Sequence, residues 1–146
     1  MDHRDAKLLK RGFYARLFHA VVFEITAIVL TSLFFVIFTN KNWLDMGILS
    51  AILSLIATLW NGFFNFCFDT LQKALGFSRT ILARVAHAVC FEGGLVLFTV
   101  PLVAFYLGIS FADAFLLEAG LVIFFLFYSF AFNFIYDRLY IRFTRD

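Results

Sequence analysis

Charge is scarce in this chain. Asp, Glu, Lys and Arg together make up 15% of its 146 residues, while 63% are hydrophobic. A soluble domain of this size could not cover so much apolar surface, so that class is excluded by composition alone. Cysteine is nearly absent. Cys67 and Cys90 are the two present, too few for a disulfide framework, and two packed free thiols are expected. There is one proline, Pro101, so a kink is expected only there. No P-loop, zinc signature or nucleophile elbow occurs, and an enzyme is not expected. The net charge of +2 comes from the flanks of apolar runs and does not form a nucleic-acid surface.

What is abundant is phenylalanine, 23 residues of it, and long apolar runs. Residues 17–40 contain His19 and Glu24 as their only charged or histidine positions; residues 46–68 contain none; residues 85–112 contain His87 and Glu92; residues 114–136 contain Glu118. Each run exceeds the ~20 residues a helix needs to cross the hydrocarbon. A helix satisfies its own backbone in lipid. The sequence therefore predicts an all-α integral membrane protein with four transmembrane helices, at about 16–39, 45–69, 82–106 and 112–137. The first run is too long for a signal peptide, and no small-residue cleavage site follows it.

Basic residues set the expected orientation. Arg4, Lys7, Lys10, Arg11 and Arg16 precede the first run, Lys73, Arg79 and Arg84 lie between the second and third, and Arg138, Arg142 and Arg145 follow the fourth. The two remaining connections hold Lys41 alone. Eleven against one predicts cytoplasmic N and C termini and argues against dual topology.

The chain also repeats itself. "RLFHAVVFE" at 16–24 returns as "RVAHAVCFE" at 84–92, identical at six of nine positions and 68 residues later. At the same offset "WNGFFNFCFD" at 60–69 aligns with "YSFAFNFIYD" at 128–137, and Asp45 with Asp113. An ungapped register of this kind predicts two helical hairpins as parallel repeats, related by a pseudo-twofold axis along the membrane normal. The organisation expected is an N-terminal cytoplasmic segment at 1–15, a first transmembrane pair at 16–69, a cytoplasmic linker at 70–83, a second pair at 84–137 and a cytoplasmic tail at 138–146.

The repeat brings His19, Glu24, His87 and Glu92 to matching depths. Glu24 lies ~12 Å beyond Arg16 along a helix, inside the hydrocarbon. A carboxyl there costs a few kcal/mol on insertion scales, and such groups usually carry function. Desolvation disfavours the charged form of a carboxyl, so it can hold a proton and, when ionised, bind a cation. One site open to either is the minimal device for antiport.

Asn61, Asn65 and Asp69 form one polar stripe on the second helix. Asn133 and Asp137 repeat it, with Ser129 at the third place. Interhelical hydrogen bonding and the lining of a route to the glutamates both fit this stripe. Trp60 and Phe64 on the adjacent edge offer aromatic faces to a cationic substrate. Glu118 is a weaker candidate, because Ser50 occupies its repeat position. Asp45, Asp113, Arg84 and Asp137 read as membrane-boundary groups. Gly93 and Gly94 remove bulk beside Glu92, which predicts that Glu92 is the more enclosed and structural carboxyl while Glu24 faces the substrate. Histidines at equal depth also admit a rival reading, haem held by His19 and His87. A non-transporting membrane subunit is a further alternative.

These four blocks resemble the proteobacterial antimicrobial compound efflux family, built from bacterial transmembrane pair domains. Its pattern is R-x-x-H-A-x-x-F-E, W-N-x-x-[FY]-N-x-x-F-D, R-x-x-H-A-x-x-F-E-G-G and Y-x-F-x-F-N-x-x-Y-D, and the match runs through all four helices. The resemblance implies a proton-coupled exporter of cationic biocides such as chlorhexidine and acriflavine, with short aliphatic diamines as a candidate native class. It places the essential carboxylate at Glu24 and the protein in the bacterial inner membrane. It implies no cofactor. The small size suggests a homodimer. Small multidrug resistance transporters are the nearest competing fold, but the internal duplication and the charge bias speak against them.

Overall fold

The computed structural model describes residues 12–78 and 80–143. Of the basic residues that set the expected orientation, Arg4, Lys7, Lys10, Arg11, Arg79 and Arg145 lie outside these. The described chain forms four helices: α1 Phe13–Thr39, α2 Trp43–Leu75, α3 Ile81–Leu107 and α4 Phe111–Phe143. Each is long and apolar enough to cross a bilayer. Each helix antiparallel to the last, they form a closed ring, because α1 packs on α4 as well as on α2. The two short connections, 40–42 and 108–110, share one end of the bundle. The 76–80 connection and the outermost described residues share the other.

The helix ends obey the 68-residue offset. Asn40 and Gly108 both close a helix in the left-handed conformation, at φ 53° and 68°, where a backbone N–H can reach back to the last turn. Asn42 then caps α2 by accepting from the Asp45 backbone N–H at 2.8 Å, and Ser110 caps α4 by accepting from that of Asp113 at 3.0 Å. Asp45 and Asp113 answer by accepting from the side chains of Asn42 and Ser110. The two aspartates are thus helix-start residues, favoured by the positive end of the helix dipole.

Two boundaries differ from those expected. α2 and α4 run on to Leu75 and Phe143 where the sequence suggests an end at the aspartates 69 and 137. The segments after those aspartates, "TLQKAL" and "RLYIRF", mix charge with apolar residues and keep good helix formers, so the helices continue beyond the apolar run. α3 passes through Pro101 without a break.

Burial is inverted relative to a soluble protein. Large apolar side chains such as Phe105, Ile81, Leu126 and Phe130 point outward, as lipid requires. Polar groups are turned in: Thr31, Ser32, Ser50, Thr99 and Glu118 are all buried. The apolar core sits at the short-loop end, where Phe35, Met46, Leu49, Val103 and Leu107 close the ring. Cys67 and Cys90 are free, and both are exposed on the bundle rather than packed.

Candidate functional site

The repeated motifs meet across the two halves, each half supplying what the other lacks. The His19 Nε2–H donates to Asn133 Oδ1 at 3.0 Å, and the His87 Nε2–H donates to Asn65 Oδ1 at 2.9 Å. His19 packs its ring edge on Phe132 and Tyr136; His87 packs on Phe64 and Phe68. The Trp60 indole N–H donates to the Phe91 carbonyl, and the Tyr128 hydroxyl donates to the Phe23 carbonyl, both at 2.9 Å. Every one of these contacts maps onto its partner when 68 is added to one residue and subtracted from the other. They form two matching seams, α1 against α4 and α2 against α3.

One pair of differences within the seams is self-compensating. Trp60 lies so close over Gly94 that a Cβ there would fall on the indole ring. The repeat counterpart of Gly94 is Thr26, and the counterpart of Trp60 is Tyr128. There the smaller ring leaves room for a side chain, and Thr26 Oγ1 lies 2.6 Å from the Tyr128 hydroxyl. Gly94 therefore serves the fit of Trp60. A Cβ at Gly93 would meet nothing. Glu92 is exposed, whereas Glu24 is partly buried, so the expectation that the glycines enclose Glu92 is reversed. The reason is visible on α2 and α4. Ser54 donates a hydrogen bond to Glu24 Oε1, while Val122 occupies the corresponding place and has no donor for Glu92.

At mid-bundle the four helices line a partly open cavity of about 460 Å³. Glu24, Glu92 and Glu118 all line it, together with Thr31, Ser50, Ser54, Thr58, Asn61 and Thr99. Phe23, Phe91 and Phe125 supply its aromatic faces. Its wall is thus acidic and hydroxyl-bearing on apolar supports, a setting that favours cations. The apolar core closes it at the short-loop end. From its other side a polar chain leads away: Asn61 accepts from the Asn65 Nδ2–H, 2.9 Å at the backbone carbonyl, and Asn65 holds His87.

The model of the chlorhexidine efflux transporter family, the bacterial transmembrane pair, matches this chain twice, over residues 11–74 and 79–142. The chain belongs to that family. The two matches stand 68 residues apart, the offset that relates the seams. Three relatives, each named as a short-chain diamines transporter, support the membership. The protein of Vibrio parahaemolyticus is 38% identical over 85% of this chain and 89% of its own. Those of Acinetobacter baumannii and Acinetobacter baylyi are 33% and 31% identical, again over 85% of this chain and over 86% and 88% of theirs. No solved structure matches. Membership in an efflux family together with four bilayer-length helices makes this a multi-pass membrane transport protein.

In this efflux family member the residues singled out from sequence fall in different places. Glu24, Glu92 and Asn61 stand in the cavity wall. His19, His87, Asn65 and Asn133 stand in the seams. Asp69 and Asp137 lie one turn beyond Asn65 and Asn133, towards the end bearing the 76–80 connection, and both have interaction partners. Trp60 and Phe64 do not border the cavity; their rings pack on each other and on the α3 aromatics Phe98 and Phe91. The two histidines face different seams, and each commits Nε2 to an asparagine, which does not favour a shared haem. Glu118, the weaker candidate by sequence, stands in the site as firmly as Glu24. It is buried with 9% of its surface exposed, its Oε2 accepts from Thr99 Oγ1–H at 2.6 Å, and it lines the same cavity. It has no acidic repeat partner, and the signal for it in the sequence is a carboxyl within an apolar run of bilayer length.

Proposed function

We propose that this protein is a proton-coupled exporter of small organic cations across the bacterial inner membrane, with cytoplasmic termini and the short loops outside. Short-chain diamines and cationic biocides of the chlorhexidine and acriflavine kind are its substrates. The observation that carries this is Glu24, a carboxyl at mid-bundle in the wall of an aromatic cavity, steadied by the Ser54 hydroxyl. Protonated, Glu24 is a neutral hydrogen-bonding group that the hydrocarbon tolerates. Ionised, it attracts an ammonium or a biguanide. The two occupants exclude each other, so a cation entering from the cytoplasm displaces a proton. A proton entering from outside, after the cavity has reopened there, expels the cation. The basic-residue asymmetry supports the orientation, and the relatives' names support the substrate class.

The test is transport by reconstituted protein under an imposed pH gradient, with a labelled short diamine as substrate. Wild type should move the diamine against its gradient and carry protons the other way. Glu24→Gln keeps the size and the acceptor for Ser54 but cannot ionise. It should fold and lose gradient-driven exchange. Exchange by Glu24→Gln at the wild-type rate would remove Glu24 as the coupling site.

A further inference from the structure

Glu118 is the least comfortable group in the bundle. Its Oε2 is held by Thr99, but its Oε1 is enclosed and has no hydrogen-bond partner among the described residues. A buried acceptor left unsatisfied is destabilising, and more so if charged. Nothing in the repeat demands a carboxyl there, because Ser50, its counterpart, makes a satisfied bond with the Met46 carbonyl at 2.7 Å. A protein keeps such a cost when something else supplies the missing donor.

The position says what that donor is. Glu118, Thr99, Thr31 and Ser50 form the closed floor of the cavity, against the apolar core, while Glu24 stands towards its other end. On α3, Thr99 is seven residues beyond the level of Glu92, the counterpart of Glu24. On α4, Glu118 is four residues from Val122, the counterpart of Ser54. At ~1.5 Å per residue the two carboxyls are therefore separated by roughly 6–10 Å along the bundle. This is the span of a short alkanediamine. A primary ammonium on the floor would find Glu118 Oε1 and the hydroxyl oxygens of Thr31 and Ser50 as acceptors.

The geometry points to Glu118 as the residue that selects dications: it binds the second ammonium of a linear diamine whose first ammonium lies at Glu24. The assignment rests on the exporter reading above and adds to it the reason for preferring two charges at a fixed spacing. A monoamine of equal length can satisfy Glu24 alone. It leaves an apolar end against a carboxyl, which is penalised both ways.

Binding to the purified protein tests this, with linear diamines of increasing length compared with the monoamines of matching length. Wild type should favour the diamine by about tenfold or more, the worth of one charge-assisted hydrogen bond. Glu118→Gln keeps an acceptor for Thr99 and should lose that preference, the diamine binding more weakly and the monoamine more tightly as the penalty on its apolar end falls. Glu118→Asp withdraws the carboxylate by one methylene and should move the optimum to a longer diamine. Diamine preference that survives in Glu118→Gln, a length optimum that stays fixed in Glu118→Asp, or equal weakening of both amines in Glu118→Gln would overturn the assignment alone. A wild-type protein that binds no diamine would overturn it together with the exporter reading.

Discussion

Replace Gly94 by threonine and the second seam should spring open. The added Cβ lands on the Trp60 indole. The ring must then swing away, giving up its N–H bond to the Phe91 carbonyl, or α2 and α3 must separate. Overpacking of this kind costs about 1–3 kcal/mol, and the lost hydrogen bond about 1 kcal/mol more. At roughly 4 °C per kcal/mol for a chain of this size, the melting temperature in detergent should fall by ~8 °C or more. The other seam supplies the cure, since Tyr128 and Thr26 fill the equivalent space with a hydroxyl pair 2.6 Å apart. Trp60→Tyr added to Gly94→Thr copies that solution. The double variant should recover most of the loss, giving a coupling of ~1 kcal/mol or more. Melts of wild type, both single variants and the double close the cycle. Additive losses would show that Trp60 and Gly94 do not share one space and that the seams are not equivalent in packing.

Three further outcomes follow from the same contacts. His19→Ala and Asn133→Ala should show coupled losses of about 0.5–1 kcal/mol in a thermal-melt cycle, whereas His19→Ala and Asn65→Ala should add. Coupling to Asn65 would mean that the motifs pair within each half. Glu24→Ala should lower the melting temperature more than Glu92→Ala, because only Glu24 has a hydroxyl partner in Ser54; the opposite order would contradict the burial of the two carboxyls. Single cysteines placed at Lys41 and Ile109, in a background lacking Cys67 and Cys90, should react with an impermeant maleimide in intact cells, and one at Ala74 should not. Labelling at Ala74 would invert the proposed orientation.

Much of this architecture could be read from the chain. Apolar runs of bilayer length give four helices because no other backbone conformation is open to them in lipid. The duplicated motifs locate the polar side chains at matching depths. What the repeat could not decide was which copy meets which. His19 is as far from Asn65 as from Asn133 in motif terms, and only packing of α1 on α4 selects the second. Nor could it rank the glutamates. Glu24 and Glu92 close the same motif, the glycines after Glu92 rank them the wrong way, and their difference comes from Ser54 and Val122 on other helices. Glu118 ranks low in the sequence for the converse reason, since symmetry directs attention to what recurs. Hydropathy does not give the helix ends at Leu75 and Phe143, because it marks where lipid stops and a helix need not stop there.

The apolar core at the short-loop end has a consequence for energy loss. Phe35, Leu49, Val103 and Leu107 offer no donor or acceptor side chain that could hold a water file, and Phe35, Leu49 and Val103 are fully enclosed. A proton cannot hop through such a layer. If the floor of the cavity were polar throughout, Glu118 would lie one step from a continuous wire, and the membrane would short-circuit whenever the other side stood open. In the proton exchange proposed above the dry layer acts as an insulator, and each transport cycle has to part it mechanically. Thinning it with a small polar side chain at Leu49 or Val103 would then leave cargo binding intact but let protons run without work.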